Sequence, residues 1–143
     1  MATLTVTKRT EPRLGAAILR LLVVTMTLAT ASIHASLGGL LFMVNAIGYT
    51  TLAVAMIVPG PIGQVRWLVR LALIGFAAAT IGGWVLFGAR FQLAYMDKAI
   101  EVVLIAVVAL ELWRTDGGPL AVARQARQLV GRLVASGTAR GTR

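Results

Sequence analysis

The chain alternates between long uncharged stretches and short clusters of charge. Residues 21–59 and 71–89 contain no Lys, Arg, Asp or Glu. A helix needs about 20 apolar residues to cross the hydrocarbon core of a bilayer, so the run from 21 to 58 is too long for one crossing and suits two. The break is predicted in Ala35-Ser36-Leu37-Gly38-Gly39, where adjacent glycines permit a tight turn between helices. Helices are therefore predicted over 21–35 and 40–58. Pro59-Gly60-Pro61 ends the second, because proline lacks a backbone N–H and disfavours a helical residue before it. A third helix is predicted over 66–88 and a fourth over 91–113, before Gly117-Gly118-Pro119.

Beyond that stop, residues 119–136 show a different periodicity. Val122, Ala126, Leu129, Val130, Leu133 and Val134 fall on one side of a helix, with Arg124, Gln125, Gln128 and Arg132 opposite and Arg127 at the margin. This is the pattern of a basic amphipathic helix on a membrane surface, where Arg124, Arg127 and Arg132 contact anionic lipid or a partner protein. Residues 137–143 read as a disordered tail. The fold class expected is all-α: an integral membrane four-helix bundle of two helical hairpins over 21–115, with a basic arm over 1–20 and a C-terminal interfacial helix.

Composition strengthens the membrane reading. Hydrophobic residues make up 58% and charged residues 13%, with a mean hydropathy of +0.84. Soluble domains are about 45–50% apolar and about 25% charged. The absence of cysteine removes disulfides, thiolate metal sites and a cysteine nucleophile. The net charge of +9 sits on flanks and tails, with arginine supplying twelve of the fourteen basic residues in an Ala-, Val-, Leu- and Gly-rich background, a composition that fits a GC-rich bacterial genome. Twelve basic residues fall on one side of the four crossings and only Arg90 and Lys98 on the other. Basic flanks are retained in the cytoplasm, so both termini are expected there, in a bacterial inner membrane. Trp67 and Trp113 are expected near the inner interface and Trp84 near the outer one. A rival reading takes the N-terminal part as a cleavable secretory signal ending at Ala29-Thr30-Ala31, which N-terminal sequencing separates from a first crossing.

Helices in lipid associate through small residues and interhelical hydrogen bonds. The third helix carries Gly75, Ala79 and Gly83 at four-residue spacing, with Ala78 and Gly82 alongside; Thr25, Ala29 and Ser32 offer a similar surface on the first, and Gly48 and Ala55 on the second. Ordinary packing within the bundle is the expectation for these positions, with self-association through the third helix as the alternative.

The segment from Arg90 to Glu101 concentrates the chemistry. Asp97 and Glu101 are four apart and share a helix face, and Lys98 is three before Glu101. About ten residues into the fourth helix, at 1.5 Å per residue, Glu101 lies roughly 15 Å deep. An ionisable group there costs about 2.5–3.5 kcal/mol on the lenient insertion scale and must face the bundle interior, water or a partner. His34, the one histidine, and Asn45 are placed to converge with Tyr95 and Asp97. Two readings stand: a proton- or cation-responsive carboxylate pair, or a structural network tying the fourth helix to its neighbours or to another subunit. Glu111 and Arg114, three apart, are expected to form a solvated pair, with Arg20 placed to neutralise Glu111 across the bundle.

Catalytic equipment is sparse. There is no Gly-rich phosphate loop, Gly-x-Ser-x-Gly elbow or His-Glu-x-x-His pair, and one histidine supplies neither bis-histidine haem ligation nor a zinc set. Copper held by His34 with Met26, Met43 or Met96 is a minor alternative, and no cofactor or metal is expected. The expectation is a non-enzymatic accessory or assembly subunit of a larger membrane complex, with other membrane subunits or its own copies as partners and no nucleic acid. The alternatives are a small oligomeric proton- or cation-coupled transporter using Glu101 and Asp97, or a lipid-binding membrane protein. Size and number of crossings are similar to those of the small multidrug transporters, whose essential acidic residue sits in the first helix, a position without one in 21–35.

Overall fold

The computed structural model describes residues 11–60, 63, 65–118, 120–128 and 131. Four long helices account for most of them: α1 (Glu11–Leu37), α2 (Leu40–Ile57), α3 (Arg66–Phe87) and α4 (Gln92–Asp116). A fifth helical segment, α5, covers 120–128, and no strand occurs among the described residues. The first helix begins ten residues before its uncharged run. Pro12 is tolerated in a first turn, and the Leu, Ala and Ile residues that follow favour helix, so charge marks the edge of the apolar run without marking the end of the helix.

Gly38 and Gly39 both take positive φ, 69° and 83°, which reverses the chain between α1 and α2 within two residues. Val58 leaves α2 in an extended conformation, as the residue before Pro59 must. Arg66 Nη2 donates to the Val58 carbonyl at 3.2 Å, so the last turn of α2 is capped from the start of α3. The helices pack in cyclic order, α1 on α2, α2 on α3, α3 on α4 and α4 back on α1. One end of the molecule carries the α1–α2 and α3–α4 turns and is called the turn end below.

The packed interior is narrow. Val23 and Ala31 of α1, Tyr49 and Met56 of α2, Val69, Leu73 and Ala77 of α3, and Leu104 and Val108 of α4 form its centre. Outside, large apolar side chains are exposed on every helix, among them Leu28, Ile47, Val54, Leu86, Val102 and Leu110. Buried polar and charged residues instead include Thr27, Thr30, His34, Arg70, Asp97, Lys98, Glu101 and Glu111. This distribution inverts that of a water-soluble domain, which almost never buries charge and rarely leaves so much contiguous apolar surface. Three helices, over Leu14–Leu37, Leu40–Ile57 and Arg66–Phe87, are long and apolar enough to cross a membrane. By composition α4 stands apart, because Asp97, Lys98 and Glu101 interrupt its apolar run.

One expectation about packing is corrected. Gly75, Ala78, Ala79 and Gly83 lie exposed and Gly82 half-exposed on the outer face of α3, and a Cβ built on Gly75, Gly82 or Gly83 meets nothing within 4 Å. The inward face of α3 is Val69, Leu73 and Ala77, where side chains fill the centre; likewise Thr25, Ala29 and Ser32 face outward on α1. Close backbone packing is confined to Gly48 on α2, where a Cβ would come within 2.5 Å of Phe76 Cζ. Trp67 is buried with Leu112 and Val122, so that α5 begins by docking its apolar side on the ends of α3 and α4. Arg124 and Arg127 point away, exposed, while Arg132 and the expected disordered tail lie outside the described residues.

Gly48→Ala is expected to destabilise the protein in detergent by about 1–3 kcal/mol, since the Phe76 ring is held edge-on against Tyr49 at 4.8 Å and cannot tilt freely. Gly75→Ala, with open space around it, is expected to be neutral or stabilising by up to about 1 kcal/mol. Thermal melting of the two variants distinguishes the packed glycine from the free one.

Candidate functional site: two buried ion clusters

The first cluster lies toward the turn end. Asp97, Lys98 and Glu101 occupy the first three turns of α4 and all point inward. Lys98 Nζ lies 2.9 Å from Asp97 Oδ2 and 2.7 Å from Glu101 Oε2, so one ammonium bridges two carboxylates. The remaining oxygens are satisfied from other helices. Thr30 Oγ1 of α1 donates to Asp97 Oδ1 at 2.7 Å, and the Tyr49 hydroxyl of α2 donates to Glu101 Oε1 at 2.7 Å. Thr80 of α3 lies 2.9 Å from the same hydroxyl, which brings all four helices into one hydrogen-bonded set.

His34 completes it. Its Nδ1 is 2.9 Å from the Thr30 carbonyl, which can only accept, so this nitrogen carries a proton. Nε2 faces Glu101 Oε1 at 4.0 Å. With neutral imidazole the cluster has a formal charge of −1, and with imidazolium it is neutral. The ring packs against Tyr49 and Phe42, at 5.5 and 6.1 Å between centroids, which holds its orientation. One His34 nitrogen and one oxygen from each carboxylate lie within 4.8 Å of one another, a spacing that suits a metal ion. Lys98 already supplies a cation to both carboxylates, so an ion binding there would have to displace it. Of the methionines considered as copper ligands, Met43 and Met96 are exposed and face away.

Of the six residues expected to form a polar cluster, Asp97, Lys98, Glu101 and His34 come together and two do not. Tyr95 is exposed on the far side of α4, edge-on to Trp84 at 5.1 Å, and Arg90 covers the Trp84 ring at 4.3 Å. Asn45 is half-buried one turn from Tyr49 and takes no part in the bonds described. Sequence reasoning missed Thr30, Tyr49 and Thr80. A signal was present for two of them: Thr27, Thr30 and His34 are spaced three and four along α1, and Tyr49 follows Asn45 by four on α2.

A second cluster closes the opposite end. Arg70 of α3 is buried and donates from Nη2 to Glu111 Oε1 at 2.8 Å and from Nη1 to Asp116 Oδ2 at 2.7 Å. Arg20 Nε of α1 lies 3.6 Å from the same Glu111 oxygen, the cross-bundle neutralisation expected from the sequence. The expected solvated Glu111–Arg114 pair is corrected: Glu111 is fully buried against Arg70, and Arg114 is exposed. Spacing along one helix suggested the local pair, but the inward face of α4 repeats through Glu101, Leu104, Val108 and Glu111, while Arg114 falls outside it.

Comparison with protein families, with curated proteins and with solved structures finds no match for this chain. The geometry itself must therefore carry the functional reading. Three of the four carboxylate oxygens of Asp97 and Glu101 accept hydrogen bonds from the protein and the fourth, Asp97 Oδ2, lies 2.9 Å from the Lys98 ammonium, an arrangement that holds helices together.

Lys98→Met is expected to lower stability by about 3–5 kcal/mol, because it leaves two buried carboxylates facing each other without a cation. Lys98→Met combined with Glu101→Gln is expected to recover at least half of that loss. Melting temperatures of the single and double variants in detergent check the coupling; additive losses would sink it.

Proposed function

We propose that this chain is a non-enzymatic integral protein of a bacterial inner membrane, a four-helix bundle crossing four times with both termini in the cytoplasm, and that it serves as an accessory or assembly subunit of a larger membrane complex. Crossing by α4 is supported by the satisfaction of its charges: Asp97, Lys98 and Glu101 are paired with one another and with α1 and α2, so the helix presents apolar side chains outward. Orientation is supported by the basic flanks, since Arg124 and Arg127 are exposed at the end opposite Arg90.

The observation that carries the subunit reading is the outward face of α3. Gly75, Ala78, Ala79 and Gly82 leave a shallow strip along an apolar exterior, and no described helix covers it. In lipid such a strip lets a second backbone approach closely, which is the main source of helix association there. The transporter reading is less favoured, because both carboxylates are already engaged by Lys98, Thr30 and Tyr49. Arginines of α5 suit anionic lipid headgroups at about 1 kcal/mol each.

Extraction from native membranes in mild detergent is expected to yield this 15.1 kDa chain in fixed ratio with other membrane proteins. Ala79→Leu, at an exposed position, is expected to release the partners while leaving the melting temperature of the isolated chain within a few degrees of the parent. A particle made only of copies of this chain would overturn the reading.

A further inference from the structure

At the turn end, next to the first ion cluster, the protein has a partly open cavity of about 290 Å3. Phe42, Trp84, Phe87 and Phe91 contribute aromatic wall, and Asp97 and Lys98 form its charged floor. The space exists because Gly83 lines it without a side chain, with nothing within 4 Å of where a Cβ would stand. Small-molecule sites run from roughly 300 to 1,000 Å3, so this one has room for a ring system and the start of a chain, and too little for a two-tailed lipid. Its walls are apolar and its polar groups few, the usual composition of a site that orients one ligand.

The floor determines which ligand chemistry fits. Thr30, Tyr49 and Lys98 donate to Asp97 Oδ1 and to both oxygens of Glu101, and Asp97 Oδ2 lies 2.9 Å from Lys98 Nζ, so both carboxylates are already engaged within the protein. Lys98 is different. An ammonium has three donors; Lys98 gives one to Glu101 Oε2, lies 2.9 Å from Asp97 Oδ2 and lines the cavity. A permanent cation entering the cavity meets the Lys98 ammonium at its floor. An anion meets the Asp97 carboxylate, which lines the same floor. A neutral molecule with an acceptor oxygen meets neither penalty and gains a charge-assisted hydrogen bond in a low-dielectric setting.

We propose that this cavity binds a neutral, lipid-soluble ring compound through a carbonyl oxygen hydrogen-bonded to Lys98 Nζ, the chemistry of a quinone head group. The aromatic wall stacks on the ring, and a hydrocarbon substituent extends between the helices toward the surrounding apolar phase. Binding alone is assigned here, with no electron transfer. The inference rests on the bilayer placement and is independent of any partner subunit.

The test uses the full-length purified chain in lipid nanodiscs, titrated with an alkyl-substituted benzoquinone, with quenching of tryptophan fluorescence as the readout. The expected result is saturable quenching that is lost in Trp84→Phe, whereas Trp67 and Trp113 at the opposite end contribute only a linear background. Gly83→Leu fills the cavity without touching the ion cluster and is expected to weaken binding at least tenfold with helix content and melting unchanged. An alkylbenzene of the same chain length, which lacks the oxygens, and a lipophilic phosphonium cation are expected not to compete. Quenching that stays linear, or that persists in a folded Gly83→Leu, overturns the proposal. Equal competition by the alkylbenzene or the phosphonium also overturns it, and these competition results decide the matter in the parent protein should Gly83→Leu fail to fold. Because no partner is present in the assay, its failure leaves the subunit reading untouched.

Discussion

One ammonium group between two carboxylates sets the register of the molecule. Lys98 lies within 3 Å of both Asp97 and Glu101, all three within little more than one turn of α4 and all three buried. Charge taken out of water is tolerable only when it is paired and its remaining hydrogen-bonding capacity is met. That requirement reaches into the other helices: α1 must present Thr30 and His34, α2 must present Tyr49, and α3 must place Thr80 behind the Tyr49 hydroxyl. Rotating any of them by one residue would leave an acceptor unpaired.

The far end is also tied by ions, but less completely, since Arg20 Nε, Arg70 Nε and Glu111 Oε2 are buried without a hydrogen-bond partner. Arg70 spans Glu111 and Asp116 while Arg20 approaches from α1, so each end of the four-helix ring is tied by ions and the middle by Leu73, Leu104, Val108 and Met56. In water the exposed leucines, isoleucines and valines of the exterior would be a liability. In the proposed bilayer they are solvated by hydrocarbon, and the polar contacts inside supply the specificity that apolar contact with lipid cannot. The network thus selects one arrangement of helices among many of similar packing energy.

A consequence for function is rigidity at one place. Lys98 is held by two partners on its own helix, and the cavity beside it is walled by aromatic rings. A donor held in place at the floor of an apolar cavity loses little entropy on binding, which is the physical basis of preorganised recognition. By contrast, the small-residue face of α3 and the arginines of α5 look outward and are available to larger partners.

Helical class and the turn at Gly38–Gly39 were legible because each is a local property: the length of an uncharged run and the tolerance of glycine for positive φ. The inward face of α4 was legible as well, since Asp97, Glu101, Leu104 and Val108 follow helical spacing and charge must turn away from an apolar exterior. The identity of the groups that meet that face was not. Thr30, Tyr49 and Thr80 belong to other helices, and ordinary polar residues in apolar runs carry no mark of their partner. Arg70 was read as a flanking charge although it is buried, because sequence position shows nearness to a helix end and says nothing of rotation about the axis. The small-residue strip of α3 failed for the same reason: composition identified a smooth face, and only the packing of Leu73 and Ala77 into the centre decided that it looks outward. The sequence alone determined the helices, their breaks and the face that carries charge. Tertiary structure decided which helices answer that charge and where a cavity remains, because both depend on the mutual rotation of helices, a quantity no single segment contains.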